Sequence, residues 1–93
     1  MKVYLSSSFG KKIKKLKTKE KLTLDDEVRK IIKNPSIGSE KKGDLRGIFV
    51  HKLKISKTLF LLSYRKVGED IELITIGPHE NYYRDLKSYL KNR

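Results

Sequence analysis

Ninety-three residues and 10.9 kDa suffice for one small domain and not for two independent cores. Hydrophobic and charged residues each make up 37% of the chain, which permits a modest core under a charged coat and excludes a collagen-like, mucin-like or membrane-spanning chain. Lys and Arg number 23 against 11 Asp and Glu, a formal charge of +12 spread evenly along the chain, so the folded body is basic and calls for an anionic partner.

Nucleic acid is the first such partner to consider, ahead of acidic protein segments and anionic membrane. The opening MKVYLSSSFGKK has no apolar run resembling a signal peptide, so the expected location is the cytoplasm, with no membrane partner. The chain has no cysteine, which removes disulfides, thiolate nucleophiles and Cys-based zinc sites together. Two isolated histidines with few acidic neighbours make a poor metal site, so neither a metal nor a cofactor is expected.

In chain order, Lys-Val-Tyr-Leu-Ser at 2–6 reads as a short strand, and Ser6, Ser7 and Ser8 offer caps for a helix beginning near Phe9. Phe9, Ile13 and Leu16 recur at helical spacing, while Lys11, Lys12, Lys14, Lys15 and Lys17 fill the other face. A second helix is expected from Thr23 as N-cap, with Asp25, Asp26 and Glu27 at its positive end and Leu24, Val28, Ile31 and Ile32 as its apolar face. Asn34-Pro35 should stop it. Residues 34–47 then read as a long loop.

Three strands follow. In 48–55 the alternation sets Phe49, His51, Leu53 and Ile55 against Ile48, Val50, Lys52 and Lys54, and the second face is expected to be free of the core. The run 58–67 is apolar on both faces, as a central strand would be, and places Arg65 on the parity of Leu61 and Ser63. Gly68-Glu69-Asp70 connects it to a last strand, 71–76, broken by Gly77-Pro78. From His79 onward Tyr82, Leu86, Tyr89 and Leu90 recur at helical spacing. The expected fold class is α+β, order βααβββα, in one domain spanning residues 1–93.

The segments Gly43-Asp-Leu-Arg-Gly47, Leu62-Ser-Tyr64 and Ile76-Gly-Pro-His-Glu-Asn-Tyr-Tyr83, in this order on a short basic chain, resemble the RelE/ParE superfamily of type II toxin–antitoxin toxins. The resemblance covers nearly the whole chain. It implies a small, twisted, largely antiparallel sheet with an N-terminal helical hairpin on one face and a C-terminal helix. It also implies a cognate antitoxin as partner. RelE-type members cut messenger RNA in the ribosomal A site, and ParE-type members inhibit DNA gyrase. His79 stands where nuclease members hold a histidine or arginine, which favours the RelE type. Leu61 departs from their pattern, since it stands where many carry an arginine three residues before the strand tyrosine.

Cleavage through a 2′-hydroxyl needs a base, an acid for the departing 5′-oxygen and cations around the developing phosphorane. Lys52 and Lys54 supply cations, and Arg65 is expected to join them at the phosphate. His79 is the candidate general acid or base, because imidazole is the side-chain type suited to proton transfer near neutrality. Tyr83 is placed to stack on a base or share a proton, with Glu80 orienting the imidazole. Arg46 and the lysines Lys11, Lys12 and Lys15 are candidate RNA contacts. His51 reads as a satisfied core histidine and Tyr82 as core. The function expected is a ribosome-dependent endoribonuclease, with a gyrase-binding toxin or a nuclease-inactive antitoxin-binding module as alternatives. With its apolar stripes committed to the core, the chain without antitoxin is expected to be monomeric.

Overall fold

The computed structural model describes residues 2–92. A first strand β1 (Val3–Leu5) leads into two helices, α1 (Ser7–Ile13) and α2 (Thr18–Lys33). A two-residue strand β2 (Ser39–Glu40) and a 3₁₀ turn at Gly43–Leu45 precede β3 (Ile48–Ile55), β4 (Thr58–Val67), β5 (Asp70–Pro78) and a final helix α3 (Tyr82–Asn92). The strands form one sheet in the order β1-β5-β4-β3-β2. It is antiparallel except where β1 runs parallel to β5. The βααβββα order is present, and β2 is an addition inside the segment expected to be loop.

Two helix starts differ from expectation for local reasons. Ser6 caps α1 by accepting the Phe9 N–H at 3.1 Å, so the helix begins at Ser7. Helix α2 begins five residues before Thr23, because the Glu20 carboxylate accepts the Lys17 N–H at 2.8 Å and closes the helix end there. Thr23 sits inside the helix and donates its hydroxyl to the Lys19 carbonyl, as a mid-helix threonine does. Leu16 lies in the turn between the helices and still packs on the core.

Strand β5 runs on through Gly77-Pro78 instead of stopping at Ile76, with Phe60 opposite Pro78 and the His79 N–H donating to Leu59 O at 3.2 Å. By alternation the Pro78 nitrogen faces away from β4, toward a side where β1, paired only to residues 71–73, no longer reaches. The missing N–H therefore leaves no gap in the ladder. Helix α3 accordingly starts at Tyr82 rather than His79.

The β3–β4 hairpin closes through Ser56-Lys57, both at positive φ (49° and 70°), with Ile55 paired to Thr58. A two-residue connection of this hand favours Asn-Gly, and L side chains here sit in a costly region. The double variant Ser56→Asn, Lys57→Gly is expected to be more stable by about 1 kcal/mol, a rise in Tm of about 5 °C. Circular-dichroism melting checks it; an unchanged or lower Tm would contradict the turn assignment.

The sheet is covered on both faces. Phe9, Leu24 and Ile31 of the helical hairpin pack on Leu53, Ile55, Leu62, Tyr64, Ile71, Leu73 and Ile76. On the other face, Tyr82 and Leu86 of α3 pack on Ile48, Val50, Leu61 and Ile74, with Leu45 at the margin. A bulge at Ser63/Tyr64 leaves Ile74 unpaired and shifts the alternation of β5, which is how Leu73 and Ile76 share one core while Ile74 enters the other. Buried Tyr64 ties the 34–40 segment to the sheet: its hydroxyl donates to Pro35 O at 2.7 Å and accepts the Gly38 N–H at 3.0 Å. A Cβ on Gly38 would lie 2.8 Å from that hydroxyl, so the position requires glycine.

Candidate functional site

Strand β3 emerges from beneath α3 partway along its length. Ile48 and Val50 are buried against the helix, whereas Lys52 and Lys54, next on the same face, are exposed. The expectation of a face free of the core is thus corrected. Half of it lies under α3, and only the lysine end is open. Lys54 is paired with Leu59, and Leu59 accepts the His79 N–H, so these three residues form one row across β3, β4 and the end of β5. Two strand spacings put the Lys54 and His79 Cα atoms roughly 10 Å apart on a common face, with half-buried Leu59 between them. Lysine side chains can reach across that gap to a group seated over Leu59.

Three residues past the end of this row, α3 begins. Tyr82 is buried and its hydroxyl lies 2.8 Å from Ser63 Oγ and 2.9 Å from Thr75 O. Burial pushes this phenol far above its ordinary range, with the Ser63 hydrogen bonds opposing. Its hydroxyl ties the start of α3 to β4 and β5. Tyr83, one position on, is half-buried at the margin of the same core, edge-on to Tyr82 with ring centroids 5.8 Å apart. The Lys41 ammonium lies 5.3 Å from the Tyr83 ring centroid. Sequence reading missed Lys41, which sits in a segment taken as loop; it follows β2, whose pairing with β3 brings it to this face.

Arg65 does not join the lysines. It is on the α3 face as expected, but it opposes Ile48, four residues along β4 from Leu61, the partner of Lys52. That is a separation of roughly 13 Å. Its guanidinium is held by Glu72 at 2.6 Å. Glu80 makes no hydrogen bond to the imidazole; it lines a small cleft with Ser8, Lys12 and Asp85 between α1 and α3. Lys12 therefore reaches the neighbourhood of the His79 segment, while Lys11 and Lys15 are exposed further out on and after α1. Arg46 is exposed just before β3, at the end of that strand remote from Lys54.

On the opposite face His51 is half-buried, as a core histidine would be, with Nε2 3.0 Å from Glu27 Oε1 on α2. Glu27 also meets Lys30 at 2.6 Å. Burial works to raise the Glu27 pKa, but the Lys30 and His51 hydrogen bonds outweigh it and hold the carboxyl below its ordinary value of 4.5. A depressed folded pKa stabilises the fold above the ordinary value, and that contribution disappears as pH falls through the folded value. Glu27→Gln is therefore expected to lower stability at pH 7 and to flatten its decline below about pH 4.5. Urea denaturation at pH 7 and pH 3 checks both; equal pH dependence in the two proteins would refute the coupling.

A family model described as a ParE-like toxin of a type II bacterial toxin–antitoxin system matches residues 3–87. Among solved structures, the chain is similar to a double arginine-to-alanine mutant of the E. coli toxin RelE in the free state, at 17% identity and TM-score 0.74, covering 99% of this chain and 97% of that one. It is also similar to a chain of the intact E. coli RelBE toxin–antitoxin complex (18% identity, TM-score 0.68, 85% and 96% covered). A third similarity is to a YoeB/ParE toxin from Agrobacterium tumefaciens (19% identity, TM-score 0.64, 85% and 99% covered). At these identities the likeness is one of fold. No curated protein matches the sequence.

Proposed function

The chain belongs to the ParE-like toxins of type II toxin–antitoxin systems, and from that premise we propose that it is a ribosome-dependent endoribonuclease, cleaving messenger RNA in the A site. The observation that carries this reading is the row of Lys54, Leu59 and His79, whose two charged or titratable members are exposed, with Lys52 beside it. In the proposed reaction the 2′-oxygen of one nucleotide attacks the adjacent phosphorus and the bond to the 5′-oxygen breaks, leaving a 2′,3′-cyclic phosphate and a 5′-hydroxyl. His79 takes the 2′-hydroxyl proton or gives one to the 5′-oxygen. Lys52 and Lys54 face the charge that builds on the phosphorane oxygens. Tyr83 offers a ring to a neighbouring base. Arg65, bound to Glu72, stays outside the reacting set.

The antitoxin expected of this family has a surface to meet. Val3, Leu5, Phe9, Ile13, Leu24 and Val28 line an open apolar groove of about 430 Å³ between the helical hairpin and β1, and its charged lining is two lysines, Lys14 and Lys21, against one carboxylate, Asp25. An acidic segment folding into that groove would pair its charge with the two lysines as its apolar face is buried.

The test is to mix the purified protein with ribosomes programmed with a defined message and to map new RNA ends by primer extension, beside a His79→Ala control. Cuts in the A-site codon that persist with chelator and vanish in the variant are the expected result. The ParE-like family model favours a second reading, a DNA gyrase inhibitor. An intact message together with inhibition of gyrase supercoiling would replace the first reading with this one.

A further inference from the structure

On the reading of the lysine ledge as an RNA site, on which this rests, we infer that Lys41 is a further phosphate-contacting residue. It marks the far end of a single-stranded RNA track that runs along β3 from Lys54 to Lys52 and, where α3 covers Val50 and Ile48, passes over exposed β2 to the Lys41–Tyr83 pair. The Lys41 N–H donates to Ile48 O at 2.8 Å, so Lys41 sits opposite Ile48 and its side chain lies on the α3 face, the face of Lys52 and Lys54. Register sets Lys52 roughly 14 Å away, the reach of a short run of nucleotides rather than of one phosphate.

Three features suit that path to an anion. The Lys41 ammonium is held over the Tyr83 ring, which limits its rotamer freedom without neutralising it. Among the described residues no carboxylate lies within ion-pair distance of it, whereas Arg65 is engaged by Glu72. The alternation that points Ile48 toward β2 also turns the backbone N–H groups of Lys52 and Lys54 to the same edge, beyond the end of β2. Among the described residues, the lysine ammonium groups and backbone amides without a β2 partner therefore share one edge of the sheet at the Lys52–Lys54 end, and β2 carries that edge on to Lys41.

The experiment measures binding of labelled 2′-O-methyl oligoribonucleotides, which cannot be cleaved, two and six nucleotides long, by fluorescence anisotropy at several salt concentrations. Lys41→Gln is expected to weaken the six-mer about threefold to tenfold and to reduce its salt slope by about 0.7, the value for one phosphate contact on a single strand. The two-mer should be unaffected, Lys41→Arg should retain wild-type affinity, and Lys19→Gln on α2 should change nothing. In a Tyr83→Ala background the loss from Lys41→Gln should shrink. Absence of six-mer binding by the wild type, equal losses for both lengths, or no loss at all would overturn the track. Message cleavage run in parallel keeps the two ideas apart: a cleaving wild type with an unchanged Lys41→Gln six-mer affinity removes the track alone. Length-selective loss without any cleavage removes the nuclease reading alone.

Discussion

His79→Ala is expected to slow A-site cleavage by about 10²–10⁴-fold, the range for removal of a positioned general acid or base. Lys54→Ala should cost about 10²–10³-fold, as loss of one donor to a developing oxyanion does. The two residues occupy one row on either side of Leu59, and in the proposed reaction each meets a different oxygen of the same phosphate. Both side chains are exposed, and the ladder bond at His79 is made by its backbone N–H, which alanine keeps. Stability should therefore change by no more than about 0.5 kcal/mol. Single-turnover rates on programmed ribosomes, with melting curves alongside, separate catalysis from folding. Losses below tenfold in both variants would remove this row from the chemistry. A gyrase inhibitor on the same fold should be largely indifferent to His79.

The second large effect concerns the helix that frames the site. Leu86 is fully buried between α3 and the sheet, 0% exposed, in a core separate from the one under the helical hairpin. Leu86→Ala is expected to cost about 2–5 kcal/mol through lost burial and the cavity left behind. A chain of this length has a total stability on the order of 5–14 kcal/mol, so the loss is a large share of it. Tm should fall by about 10 °C or more. Tyr82→Phe removes only the hydroxyl that meets Ser63 and Thr75 and should cost about 1–2 kcal/mol. Thermal and urea unfolding of the three proteins test the order. If Leu86→Ala melted within a few degrees of wild type, α3 would not be the cover of this face. A loosened α3 would also release Tyr83 from Lys41, so this variant should lose RNA affinity before it unfolds.

Much of this architecture is written in local pattern. The period-two alternation of 48–55 sorts its residues onto the two faces they occupy, because successive strand side chains point to opposite sides. The apolar run 58–67 is the central strand β4, and the stripe of Tyr82, Leu86, Tyr89 and Leu90 is the face α3 turns to the sheet. The basic surface follows from charge count alone. His79 at the junction of strand and helix was legible too, but that it shares a row with Lys54 was not, because the register of β3, β4 and β5 sets that row.

Tertiary structure decided which half of each face is covered and who partners whom. Alternation says that Ile48, Val50, Lys52 and Lys54 share a face. It does not say that α3 crosses only the first two, because that depends on where β5 ends and how the chain turns back at 79–81. Arg65 and Lys52 have matching parity, yet strand register puts them roughly 13 Å apart and gives the arginine to Glu72. Lys41 showed no pattern at all, because a two-residue strand has too few side chains for a period; only its ladder bonds to β3 bring it to Tyr83. The sequence by itself determined the elements, their buried sides and the sign of the surface, since these are set by neighbours in the chain. Which cations converge was left to register and crossing, which arise between elements distant in sequence.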